Sequence, residues 1–148
     1  MTFVRFILGI TFVVAIGSHN AQAVEPPLLN FGDLVQHPIG PQGLEISPFA
    51  KSVQGQSVRL RGYMVKSEES AMGQFYFAPL PLQMSEHADG PANDLPASAV
   101  LVKLDSSQAN WAVSYTAGAL VLEGTLLVGR YEDTQGNVSW FQLQLPIQ

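Results

Sequence analysis

Beyond residue 55 the chain alternates between apolar and polar positions. Val58, Leu60, Gly62 and Met64 fall on one side of a two-residue period, and Arg59, Arg61, Tyr63 and Val65 on the other. That spacing predicts a half-buried strand. Residues 74–80 repeat the pattern, with Phe75 and Phe77 opposite Tyr76 and Ala78. Residues 99–104 are apolar on both faces through Val100, Leu101 and Val102, as a central strand requires. A fourth, long strand is predicted over 119–129 and a fifth over 138–145, where Trp140 and Phe141 are read as core aromatics. Trp111, Val113 and Tyr115 alternate over a short edge segment. Gly62 and Gly124 interrupt the first and fourth strands, and glycine inside a strand marks a bulge or a bend.

The connections carry turn chemistry. Residues 66–73 form a polar loop, and 82–98 a long one containing Gly90, Pro91 and Pro96. Residues 105–110 turn, and Asp133-Thr134-Gln135-Gly136 sits in a hairpin turn between the last two strands. Upstream, residues 24–46 hold Pro26, Pro27, Pro38 and Pro41 with Gly32, Gly40 and Gly43. Prolines fix φ and remove donors, so this segment is expected as an irregular arm, pinned through Leu28, Leu29, Phe31 and Leu34. Ser47-Pro48 is an N-cap followed by proline at the first helical position, opening a short helix that ends at Gly55. Five strands with interior glycines and one helix predict a mainly β domain over 47–148. The expected form is a small five-stranded OB-like barrel, with a small β-sandwich as the alternative.

The first 23 residues follow another plan. Arg5 precedes an apolar run over 6–17, then come Ser18-His19-Asn20 and the small residues of Ala21-Gln22-Ala23. This is the three-part layout of a cleavable secretory leader, with cleavage before Val24. The apolar run is too short for an anchor, because twelve helical residues span about 18 Å against a hydrocarbon core of about 30 Å. The expected location is the periplasm. Losing Arg5 takes the formal net charge from −5 to −6. A surface so acidic argues against nucleic acid, whose phosphates need a basic face. The chain has no cysteine, so neither disulfides nor a cysteine-linked lipid can hold it.

The run Val58-Arg59-Leu60-Arg61-Gly62-Tyr63-Met64-Val65, then Phe75-Tyr76-Phe77, Ala99-Val100-Leu101-Val102, Leu122-Glu123-Gly124-Thr125-Leu126-Leu127-Val128-Gly129 and Gly136-Asn137-Val138-Ser139 resemble a family of small exported bacterial proteins of unknown function. That family has an OB-like β-domain and is often encoded beside ABC-transporter components. The resemblance covers roughly residues 47–145 and implies an accessory or binding part. Many relatives carry cysteine and histidine in the long loop. This chain has Met84-Ser85-Glu86-His87-Ala88-Asp89-Gly90 there.

Three functions compete. The first is a non-enzymatic periplasmic binding or accessory module serving an envelope ABC transporter, with Arg59, Arg61, Tyr63 and Trp111 as candidate ligand-face residues. Its alternative reading is a solvated face whose arginines pair with Glu123. The second is a divalent-metal protein using Glu86, His87, Asp89 and Asp94, since imidazole with carboxylates suits zinc-like ions. Ordinary turn chemistry accounts for the same residues. The third is a small hydrolase. No Gly-x-Ser-x-Gly elbow, phosphate loop or His-Glu-x-x-His occurs, which disfavours it.

Overall fold

A computed structural model describes residues 24–67, 72–84, 86–87, 90–91 and 95–147. Residues 1–23, where a leader is expected, lie outside them. The arm contains a two-residue strand, β1 (Leu28–Leu29), and a 3-10 turn, Phe31–Asp33. It leads into the short helix α1 (Pro48–Ser52), the one α-helix among the described residues, and then β2 (Ser57–Met64) and β3 (Gln74–Ala78). In the long loop, β4 (Glu86–His87) pairs with β5 (Gly90–Pro91) as a small antiparallel ladder. Next come β6 (Val100–Lys103), a second 3-10 turn at Ser106–Gln108, β7 (Ala119–Glu132) and β8 (Val138–Gln144).

The fold is mainly β, as the alternation predicts, and its main strands join in a ring. β2 pairs with β3, β3 with β6, β6 with β8, β8 with β7, and β7 returns to β2. Only β6 and β8 run parallel within this ring. β7 closes it by serving two neighbours in turn. Its first half pairs with β2 from Ala119 to Thr125, and from Thr125 onward it pairs with β8. The handover needs Gly124, where a Cβ would lie 2.6 Å from the Gln144 carbonyl oxygen. The bend expected at this glycine is therefore a corner of the ring. The register shift in β7 falls later, between Val128 and Tyr131.

The seam between β2 and β3 is short, holding only the pairs Tyr63↔Ala78 and Met64↔Phe77. Pro79 follows β3 and has no N–H to continue the ladder. The first half of β2 is thus left without β3, and the arm takes that edge. Leu28 and Leu29 pair in parallel with Arg59 and Leu60, and the Arg59 N–H donates to the Pro27 carbonyl at 2.8 Å. The expected irregular arm is in part a strand, recruited to an edge that would otherwise expose unpaired backbone. Leu29, Phe31 and Leu34 are buried as anticipated, whereas Leu28 is half exposed.

The ring interior is filled by Val58, Leu60, Phe77, Val102, Phe141 and Leu143, all essentially inaccessible. Helix α1 begins as expected: Ser47 Oγ accepts from the Ala50 N–H at 2.9 Å and donates to the Asp33 carbonyl at 2.5 Å. A second apolar cluster lies on the outer face of β3 and β6. There Tyr76, Ala78 and Leu101 are covered by Leu82, Met84 and Leu95 from the two ends of the long loop. Two expectations fail. Trp140 is 43% exposed, because β8 turns Phe141 and Leu143 inward and its neighbour outward. Residues 111–115 form no strand; they meet the start of β3 only through the bridge of Met72 with Ala112 and the bond from the Gly73 N–H to the Trp111 carbonyl.

Candidate functional site

The register of the ring puts polar side chains in a row. Lys103 on β6 lies opposite Gln74 on β3 and opposite Gln144 on β8, so the three residues cross the outer face at strand spacings of about 4.8 Å. The next row toward the seam holds Tyr76 and Leu101. Period two explains the arrangement, because Phe75, Val102 and Leu143 must point into the core and their neighbours therefore point out.

These two rows floor a groove of about 1070 Å³. One wall comes from the end of β2 and the connection after it, through Met64, Val65, Ser67 and Met72, and Met84 of the long loop stands beside them. Ala109, Val113, Ser114 and Tyr115 supply another wall, and the Asp133–Gln135 turn closes an end. Every methionine after Met1 lines this space.

Its charged groups are not equivalent. Asp133 organises the turn between β7 and β8. Its Oδ1 accepts from the Gln135 and Asn137 N–H groups at 2.9 and 2.8 Å, and its Oδ2 from Asn137 Nδ2 at 2.8 Å. Asp105 caps the second 3-10 turn, accepting from Ser107 N and Oγ at 2.9 and 2.7 Å. These bonds from Ser107 stabilise the charged form and hold its carboxyl below the usual range. Lys103 has no ion pair or side-chain hydrogen bond among the described residues. Gln144 is committed, its Nε2 donating to the Leu104 carbonyl at 2.8 Å. The Tyr76 hydroxyl donates to the Asn137 carbonyl at 3.2 Å. Burial, and then the nearby Asp133 carboxylate, push this phenol well above its ordinary value. It remains a neutral donor tying the groove floor to the turn.

None of the four ligand-face candidates lines the groove. Arg59 is held by the arm: its Nη1 pairs with Glu25 and its Nε donates to the Pro26 carbonyl at 3.1 Å. Glu123 is its cross-strand register partner, yet the ion pair forms with Glu25. Arg61 is exposed and lies opposite Val121, Tyr63 is half-buried, and Trp111 stands in solvent on the connection before β7. For the metal candidates, Asp89 and Asp94 lie outside the described residues, as do the side chains of Glu86 and His87. Among the described residues no three potential ligands cluster.

Sequence reasoning passed over Gln74, Lys103 and the methionines. The available clue was the strand Val100-Leu101-Val102-Lys103. It is apolar on both faces until its last residue, which means that a covered outer face ends there.

No family model matches the chain, and no curated protein matches it significantly. Among solved structures it is similar to the crystal structure of a DUF3299 family protein from Pseudomonas aeruginosa PAO1. The TM-score is 0.49 and the sequence identity 15%, over 81% of this chain and 92% of that one.

Proposed function

We propose that this chain is a non-enzymatic binding module of the periplasm, an accessory to an envelope ABC transporter, and that its ligand site is the groove over β3 and β6. The position of the groove carries the reading. OB-type domains bind on their second and third strands, between the loops that join strands one to two and four to five. In this ring those parts are β3, β6, the connection after β2 and the Asp133–Gln135 turn, and all four line the groove. Its make-up is compatible with a binding role, since apolar side chains and polar groups both line it. The two carboxylates at its edge are occupied in capping and turn formation, so they serve geometry in preference to proton transfer.

Affinity capture from envelope extract, with the full chain carrying its own leader, tests this reading. Recovery of a transporter subunit by the wild type, and its loss with Met72→Glu or Tyr115→Ser, is the expected result. Both positions are exposed, so the fold tolerates the changes. Capture of no envelope component overturns the accessory role. Capture unaffected by either substitution overturns the groove as the site.

A further inference from the structure

The groove is polarised along its length. At one end the row Gln74–Lys103 presents an amide and an ammonium, neither of which has a side-chain partner among the described residues. Toward the seam the floor becomes Tyr76 and Leu101, with Val65 and Met84 beside them. Neither acidic group nearby forms an ion pair with Lys103. Asp105 is turned into its Ser107 cap and Asp133 into Asn137 and Gln135. A partly buried lysine without an ion pair among the described residues, set at one end of a groove lined in part by apolar side chains, selects an anion attached to an apolar body.

The nature of that body follows from the backbone. Extended peptides bind sheets by adding main-chain hydrogen bonds at an edge. The floor of this groove is a sheet face whose strands are bonded to one another, β3 to β6 over 74–77 and β6 to β8 over 100–103, which leaves only the short β3 edge at Gln74 and Phe75 for main-chain pairing. A peptide laid there would leave its own amides unpaired against Tyr76, Leu101 and the methionines, at a cost for each buried group. An acyl chain has no such groups. Thioether walls suit it further, because methionine is unbranched and adapts to a flexible occupant, and Met64, Met72 and Met84 all line the space. We infer that the groove takes a single-chain amphiphile with a carboxylate head, a fatty acid. Its head would sit on Lys103 and Gln74, and its tail would run between Met72, Tyr115 and Met84, above the buried Tyr76 and Leu101. The inference rests on the groove being the ligand site of a binding module.

Titration calorimetry on the full chain tests it with dodecanoate below its micelle concentration. Dodecanol has the same tail without the charge, and a short apolar peptide with a free C-terminal carboxylate has the charge without the acyl chain. Saturable binding of dodecanoate is expected, weakened about tenfold by Lys103→Gln, the usual scale for one charge-assisted contact. Dodecanol should bind wild type and Lys103→Gln alike, and Met72→Glu should weaken both ligands. Circular dichroism that matches wild type establishes that each variant is folded. Binding of the peptide in preference to dodecanoate, abolished by Met72→Glu, overturns the fatty-acid assignment and leaves the binding-module reading standing. Equal affinity of wild type and Lys103→Gln for dodecanoate overturns the head site. Binding of neither ligand, together with envelope capture indifferent to Met72→Glu and Tyr115→Ser, overturns both readings.

Discussion

The Phe31 ring occupies the space that a side chain at position 62 would need. A Cβ on Gly62 would run into that ring, and it would also lie 2.7 Å from the Ala78 carbonyl oxygen and 3.0 Å from Phe77 Cε1. The two phenyl rings meet with centroids 5.8 Å apart and planes tilted by 44°. Gly62 is therefore the socket by which the arm is fastened to the ring, next to the two-pair seam between β2 and β3. Gly62→Ala should destabilise the domain by about 2 kcal/mol or more, the upper part of the range for overpacking, because one of the blocking atoms is backbone. Urea unfolding checks it. The midpoint should fall with little change in slope, and adding Phe31→Ala should recover part of the collision, so that the two losses do not sum.

Two kinds of contact hold the arm, and they should differ sharply in weight. Glu25 meets Arg59 at the surface, with 72% of the carboxylate side chain still accessible. Exposed pairs of this sort contribute about 0–1 kcal/mol. Phe31 is buried against Phe77, and emptying such a site costs about 3–5 kcal/mol. Glu25→Gln should thus leave the unfolding midpoint nearly unchanged, whereas Phe31→Ala should lower it strongly and raise proteolytic cleavage within residues 24–46. Equal effects from the two substitutions would refute this division.

Period-two alternation places all five ring strands because each has one face on the core, and β6 is recognised as central because it has apolar residues on both faces. Gly62 and Gly124 are legible as special positions, although the sequence does not say what approaches them. One proves to be a socket for an aromatic ring, the other a corner where β7 changes partners. The groove is harder to read. Lys103, Gln74 and Gln144 are far apart along the chain and meet only through register, which no local pattern encodes. Arg59 misleads for the converse reason. Cross-strand pairing points to Glu123, but the arm returns to β2 and presents Glu25 from 34 residues away. Trp140 misleads because alternation fixes which residues share a face without saying how much of that face is covered.

Ser47 joins the arm to α1 with both halves of its hydroxyl. It caps the helix by accepting from Ala50 and holds the arm by donating to the Asp33 carbonyl. Ser47→Ala removes both bonds and should cost about 1–2 kcal/mol, the upper range for an N-cap. Ser47→Asp keeps the acceptor but has no proton to give and sets a negative charge against the Asp33 carbonyl. The aspartate should therefore fail to restore wild-type stability, whereas Ser47→Thr, which keeps donor and acceptor, should come close. Thermal melts of the three variants discriminate the two roles, since a site that acts only as a cap would rank aspartate with serine.

Tyr76 makes the domain sensitive to alkali. Its phenol is buried beneath Met84 and the long loop and lies near the Asp133 carboxylate, and both effects disfavour the phenolate. The sign follows from linkage. A folded-state value above the ordinary 10.0 means that the unfolded chain releases this proton first. The contribution is fully present below about pH 10 and declines as the pH rises beyond it. Wild-type stability should therefore fall steadily above pH 10. Tyr76→Phe should be less stable near neutrality by about 1 kcal/mol, the net worth of one hydrogen bond, because the bond to the Asn137 carbonyl is lost. The same variant should lose less on going from neutral to alkaline pH. Urea titrations of both proteins across this range provide the comparison. Parallel pH profiles would show that another group governs the alkaline transition, whereas profiles that converge as the pH rises would place it at the hydroxyl joining the groove floor to the β7–β8 turn.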